Sequence, residues 1–192
     1  MRSMRLGFVG ELSYELHVAS SYMQALWELL EEAGQEFGMR NFGLEAQNVL
    51  RLEKGHIIIG AESEIRTTLH DVGLVFLWSR KKPAAKTVGA VALQQTEKQD
   101  GRLKLVGFKM ENPSRAPKDG SIVVENNVKG YVCTARRSFI LNESVGLALV
   151  DAALAQEGRR LQIYEDECEG QLLHATVVPT PFYDPEGKRL RM

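Results

Sequence analysis

The amino-acid sequence predicts an α+β protein, with an α/β segment over residues 1–78 followed by an all-β segment over about residues 100–183. Three observations predict it. Residues 11–18 alternate between apolar and polar side chains, two later stretches repeat apolar residues at helical spacing, and beyond residue 103 short β-rich runs recur between turn signals. With 192 residues, 44% apolar and 26% charged, the chain is long enough for a packed core and for one or two domains.

In residues 11–18, Leu12, Tyr14, Leu16 and Val18 fall on one face and Glu11, Ser13, Glu15 and His17 on the other. Period 2 of this kind predicts a strand with one face on a core. Tyr22, Leu26, Leu29, Leu30 and Ala33 then recur at helical spacing, with Ser21 and Gln24 spaced as a capping box and Gly34 placed as a stop, the helix fraying toward Phe37. A second helix is predicted over residues 44–53, with Gly55 as its C-terminal cap. Residues 56–59 predict a short β-branched strand closed by Gly60. Ser79-Arg80-Lys81-Lys82-Pro83 is a basic connector, and a short helix is predicted over residues 87–95. Strands are predicted at 104–110, 121–125, 129–135, 146–151, 160–165 and 172–179, separated by Asn112-Pro113, Asp119-Gly120, Asn126-Asn127, Glu157-Gly158 and Glu169-Gly170. Short strands at such regular intervals point to a small β-barrel or sandwich.

Composition excludes several classes. With 24 basic and 25 acidic side chains the chain lacks the charge footprint of a nucleic-acid binder. Two cysteines, Cys133 and Cys168, make neither a disulfide scaffold nor a Cys-rich metal site, and are expected to be reduced in a cytoplasmic setting. The longest wholly apolar stretches are only a few residues long, residues 57–59 being an example, and no apolar signal core comes after the basic N-terminus, so no membrane association is expected. His17, His56, His70 and His174 form no i, i+4 pair, and no metal site is predicted. His70-Asp71 reads as a turn or cap. Arg80 to Lys82 with Lys86 is a solvated connector or a contact for an anionic partner. Hydrolase, P-loop and dinucleotide-binding motifs are absent.

Two local features are candidates for chemistry. In Gly7-Phe8-Val9-Gly10-Glu11, glycines three apart permit either an ordinary turn or close backbone approach to a ligand. Glu15 sits mid-strand between Ser13 and His17. A carboxylate there is either part of a solvated strand face or, inside a cleft, an acceptor of two parallel hydrogen bonds from an aminopyrimidine-like edge.

Several stretches then match a known family in order. They are Gly7-Phe8-Val9-Gly10-Glu11 with Tyr14-Glu15-Leu16, Phe42-Gly43-Leu44-Glu45-Ala46, and Asn48-Val49-Leu50-Arg51-Leu52-Glu53-Lys54-Gly55. Gly60 through Asp71-Val72-Gly73-Leu74 and the closing Phe182-Tyr183-Asp184-Pro185-Glu186-Gly187 continue the series. Together they resemble the C-terminal half of the glycine-cleavage T-protein (aminomethyltransferase) family, a folate-binding group that includes the C-terminal regions of the sarcosine oxidase alpha subunit and dimethylglycine dehydrogenase. The Leu50-Arg51-Leu52-Glu53-Lys54-Gly55 run and the closing segment look closest to the sarcosine oxidase alpha branch.

The resemblance implies a partial α/β folate-binding domain at 1–78, a connector with a short helix at 79–102, and a T-protein-type antiparallel β-barrel at 103–192. Glu15 matches the family's strand carboxylate that binds the pterin edge of tetrahydrofolate. Phe8 stands where the family has a tyrosine, keeping a stacking surface without the hydroxyl. Gln47 stands at the family's folate-contacting arginine, without the fixed charge and bidentate donor. Leu69 replaces a proline. The family chemistry is attack by tetrahydrofolate N5 on an aminomethyl or iminium carbon to give 5,10-methylenetetrahydrofolate. Its organising aspartate belongs to the family's first half, which precedes the motif near Met1, so no catalytic residue is assigned here. An unpaired edge along residues 12–18 and an uncovered core face are therefore expected, inviting a second polypeptide or self-association. The resemblance implies a folate-binding portion of a one-carbon transferase; the other reading is a non-catalytic assembly or ligand-binding module.

Overall fold

The computed structural model describes residues 1–78, 87–166 and 170–191; the basic run at Arg80 to Lys82, Lys86 and Cys168 lie outside the described residues. The chain opens on a hairpin in which β1 (Arg2–Arg5) and β2 (Tyr14–His17) pair antiparallel, with Met4 opposite Glu15. The predicted strand is thus realised over its second half, because the backbone bends through residues 8–12. Its apolar face is open: Leu12 and Tyr14 are exposed.

A single 3-10 turn at Ser20–Tyr22 leads into α1 (Met23–Gly34). The predicted capping box does not form. Ser21 lies inside the 3-10 turn rather than at an extended N-cap, and the Gln24 amide donates to Glu28 instead, at 2.9 Å. The helix does stop at Gly34, then tightens to a 3-10 turn at Gln35–Phe37 that ends on left-handed Gly38. α2 (Leu44–Glu53) has the predicted bounds. Gly55 adopts a φ of 65°, and its N–H donates to Leu52 O at 2.7 Å while His56 N–H donates to Arg51 O at 3.0 Å. These paired bonds define a Schellman cap, which needs a residue without Cβ strain at Gly55.

The strand predicted at 56–59 is absent, apart from an isolated bridge between Ile59 and Ser63. Side chains take its backbone groups in place of a neighbouring strand: Arg51 donates to His56 O and Ile58 N–H donates to Glu62 Oε2. Asp71 fulfils the predicted cap role, accepting from the N–H and hydroxyl of Thr68 at 2.7 and 2.9 Å. It also pairs with Arg102, and its carbonyl accepts from Leu105 N–H, which fastens this loop to the start of the β segment. α3 (Ala90–Thr96) begins three residues later than predicted, after left-handed Gly89.

The strands β3 (Leu103–Met110), β4 (Ile122–Glu125), β5 (Asn127–Ser138), β6 (Glu143–Asp151), β7 (Arg160–Glu165) and β8 (Gln171–Val178) close an antiparallel barrel in the order β3-β6-β5-β4-β7-β8. Of the two β architectures left open, it is the barrel. Alternation fills its interior: Val106, Phe108 and Met110 from β3, Leu161 and Ile163 from β7, Ala175 and Val177 from β8. β6 breaks the alternation and is buried on both faces. Ala148 and Val150 point inward, while Val145 and Leu147 join Leu52 of α2, Leu105 and Phe182 in a second cluster outside the barrel.

That outer cluster depends on one irregularity. The β5–β6 register shifts between Val132 and Thr134, leaving Cys133 as a bulge. Val132 and Ala135 both face the interior, so the bulge inverts the parity of the residues beyond it. Thr134, Arg136 and Ser138 consequently share the outer face, where each meets α2 or its flank: Thr134 meets Arg51, Arg136 meets Glu45, and Ser138 meets Glu53. Without the bulge these polar side chains would enter the apolar barrel. Among the described residues no helix is long and apolar enough to cross a membrane.

Deleting Cys133 is therefore expected to abolish cooperative folding, whereas Cys133→Ala, which keeps the bulge, costs about 1 kcal/mol in urea unfolding. Acid stability provides a second check. Burial pushes the Asp71 carboxyl up, but Arg102 and Thr68 outweigh it and hold it below its ordinary value. The stability from that pairing is complete above the unfolded carboxylate value of about 4 and is lost as pH falls through the lower folded value. Asp71→Asn is expected to flatten the dependence of the urea midpoint on pH below about pH 4.

Candidate functional site

The loop carrying Phe8 is anchored by the two residues after α2. Gly10 is buried with a φ of 88°, and a Cβ there would overlap the Cγ of Lys54, whose stem crosses directly behind it. The close backbone approach that the glycine spacing permits is thus made to this chain's own lysine. Lys54 Nζ continues to the carbonyl of Asp184 at 2.6 Å. Phe8 is half-buried, with its ring stacked on His56 at a centroid distance of 6.0 Å and an interplanar angle of 20°, and its carbonyl accepts from His56 Nδ1 at 2.8 Å. The closing segment seals the same corner. Tyr183 N–H donates to Glu53 O at 2.9 Å, and its hydroxyl donates to Glu11 at 3.1 Å.

Glu15 projects from β2 on the face it shares with His17. His17 Nε2 stands 3.2 Å from Glu15 Oε2, and both side chains are about half exposed. Gln47 lies in the first turn and a half of α2, half-buried, with its N–H bonded to Gly43 O at 3.2 Å. At about 1.5 Å of rise per residue α2 is about 15 Å long, so Gln47 and the Phe8–His56 stack sit toward opposite ends of it. Phe8, Glu15 and Gln47 exchange no hydrogen bonds with one another among the described residues.

The sequence motifs gave no hint of the buried charges next to this site. Arg51, Leu52, Glu53 and Lys54 are all buried in succession. Arg51, 1% exposed, makes four hydrogen bonds with its guanidinium: Nε to Asn48 Oδ1, Nη1 to Glu62 Oε1 and His56 O, and Nη2 to Thr134 Oγ1, all between 2.9 and 3.1 Å. Glu62 is 0% exposed. Glu53 accepts from Ser138 Oγ at 2.6 Å; burial raises its carboxyl above the ordinary value and the hydroxyl offsets only part of that. The available signal was the spread of the apolar residues of α2. Leu44, Val49, Leu50 and Leu52 do not form one stripe, and only Leu52 is in a core. The inward face is completed by the arginine beside it.

Known proteins share this arrangement of segments. Residues 1–82 match the family profile described as the GCVT N-terminal domain, and residues 104–184 match the glycine cleavage T-protein C-terminal barrel domain. The chain is 33% identical over 186 residues to an aminomethyltransferase of Caldanaerobacter subterraneus subsp. tengcongensis, covering 96% of this chain and 48% of that protein. It is 31% identical over 187 residues to the trimethylamine-oxide aldolase of Ruegeria pomeroyi, covering 97% of this chain and 24% of that one. A sarcosine oxidase subunit alpha of Corynebacterium sp. (strain P-1) is 29% identical over 198 residues, with 98% and 20% covered. In fold, the chain matches the crystal structure of glycine cleavage system aminomethyltransferase T from Bartonella henselae with a TM-score of 0.85 at 24% identity, over 95% of this chain and 50% of that one. The chain thus spans about half the length of the aminomethyltransferases it matches, 48% for that of Caldanaerobacter.

Glu62→Ala leaves the Arg51 charge buried without its counterion and is expected to cost about 3–5 kcal/mol in urea unfolding. Arg51→Met combined with Glu62→Leu is expected to cost clearly less than the sum of the two single changes, which a double-mutant cycle reads directly.

Proposed function

Because the chain belongs to the glycine-cleavage T-protein (aminomethyltransferase) family, we propose that it forms the tetrahydrofolate-binding portion of a one-carbon transfer protein of aminomethyltransferase or sarcosine oxidase alpha type. The observation that carries this reading is Glu15. Glu62, Asp71 and Glu165 are buried and paired with arginines of the fold, while Glu15 is held mid-strand with Oε2 toward His17 and Oε1 accepting from no group among the described residues. A carboxylate so placed suits the parallel N–H donors of a pterin's aminopyrimidine edge. Phe8, its ring fixed against His56, offers a flat apolar surface for the same ligand, and Gln47 a neutral amide in place of a fixed charge. Bound tetrahydrofolate supplies the nucleophilic nitrogen that accepts the one-carbon unit; the chain's own part is to bind and orient it.

On this reading the acid/base group of the reaction comes from a further polypeptide segment, in keeping with the half-length coverage of the relatives. We divide the chain into the C-terminal part of a folate-binding domain at 1–78, a connector at 79–102 and a barrel at 103–192, in a cytoplasmic setting. A second reading, an assembly module, is favoured by α1. That helix has no buried residue, and Met23, Trp27, Leu29 and Leu30 are exposed along it. A second polypeptide or a second copy is proposed to cover this face.

Titration of the purified chain with 5-formyltetrahydrofolate, followed by tryptophan fluorescence, is expected to saturate, with affinity lowered about tenfold or more in Glu15→Ala, since a hydrogen bond to a charged group contributes about 1.5–3 kcal/mol. No saturation, or an unchanged affinity in Glu15→Ala, rules out the role of Glu15. A strictly monomeric chain that binds no hydrophobic dye counts against the covered face.

A further inference from the structure

The buried carboxylates of this chain follow a pattern with one exception. Glu62 pairs with Arg51 at 2.9 Å, Asp71 pairs with Arg102, and Glu165 pairs with Arg115 at 2.7 Å. Glu53, 2% exposed, has no cation within ion-pair distance among the described residues. Its Oε1 holds the Ser138 hydroxyl, and its Oε2 accepts no hydrogen bond among those residues. A desolvated carboxyl without a counter-charge is the costly arrangement that the rest of the molecule avoids.

Glu53 also lines an open apolar groove. On α2, Ala46, Val49, Leu50 and Glu53 recur at i, i+3, i+4 and i+7, on the side turned away from Arg51 and Leu52. Between that stripe and Phe139 and Ile140, both exposed at the tip of the β5–β6 hairpin, lies an open apolar groove of about 370 Å³ with Glu45 at its edge. This volume lies within the range of about 300–1,000 Å³ common for small-molecule sites, which combine an apolar lining with few polar groups. Glu45 already pairs with Arg136 at 2.8 Å. Of the two carboxylates lining it, Glu53 is the one without an ion pair among the described residues.

We propose that this groove binds a small organic ammonium ion with an apolar body. Its N–H groups donate to Oε2 of Glu53, and its hydrocarbon part lies on Val49, Leu50 and Phe139. The site uses none of Phe8, Glu15 or Gln47. Isothermal titration of the full chain with benzylammonium chloride, and with benzyl alcohol as the neutral counterpart, tests it. Saturable binding of benzylammonium at least tenfold tighter than that of the alcohol is expected, with Glu53→Gln removing the preference and Glu15→Ala leaving it intact. Val49→Trp, which fills the groove from an accessible helix position, is expected to remove binding of both while preserving the circular dichroism spectrum. Absence of saturable binding, equal affinity for the two probes, or a preference that survives Val49→Trp overturns the proposal, whether or not Glu53→Gln folds.

Discussion

The Arg51 guanidinium, enclosed between α2 and the barrel, sets the terms for the surrounding structure. It cannot be left without partners in so dry a place, and its N–H groups point along directions fixed by a planar fork. Glu62 must therefore loop back beneath it, His56 must present its carbonyl at the Schellman cap, and Thr134 must face outward from β5. The last demand is met by the bulge at Cys133, which turns Thr134, Arg136 and Ser138 together toward α2. A buried pair of this kind is weak evidence for net stability. Its effect here is registry: helix, loop and strand fit in one relative position.

That registry reaches the candidate site through short links. Lys54 comes directly after Glu53 and crosses behind Gly10, so the position of the Phe8 loop is tied to the C-terminal end of α2. His56 holds Phe8 by both ring stacking and a hydrogen bond. The closing segment then ties Tyr183 to Glu53 and Glu11, and Asp184 to Lys54. Residues beyond β8 thus pack against the first segment of the chain. The β1–β2 hairpin bearing Glu15 is further out: neither its strands nor α1 has a buried residue. An interior ordered by buried charges sits beside a surface on which Tyr14, Trp27 and Leu29 are exposed.

The fold was legible where local rules decide. The bounds of α2, its Gly55 cap, and β3, β4, β7 and β8 came from periodicity and turn residues to within a residue or two. β5 and β6 ran three residues longer than predicted on at least one end, because pairing with a neighbour extends a strand past its β-rich centre. The Ser21 box and the strand at 56–59 failed for a shared reason. Each pattern was locally plausible, but the backbone groups it would have satisfied were taken up differently, by a preceding 3-10 turn in one case and by Arg51 and Glu62 in the other.

By itself the sequence determined the α+β class, the order of the segments, the family resemblance and the strand face on which Glu15 lies, because alternation, helical spacing and motif order are properties of neighbouring residues. Tertiary structure alone decided which charges are buried and that one bulge turns β5 toward α2. These depend on contacts such as Arg51 with Thr134 and Glu53 with Ser138, whose partners lie 83 and 85 residues apart and carry no local signature. The physical reason is that a buried charge is stable only where distant groups converge on it, and convergence is a property of the folded chain.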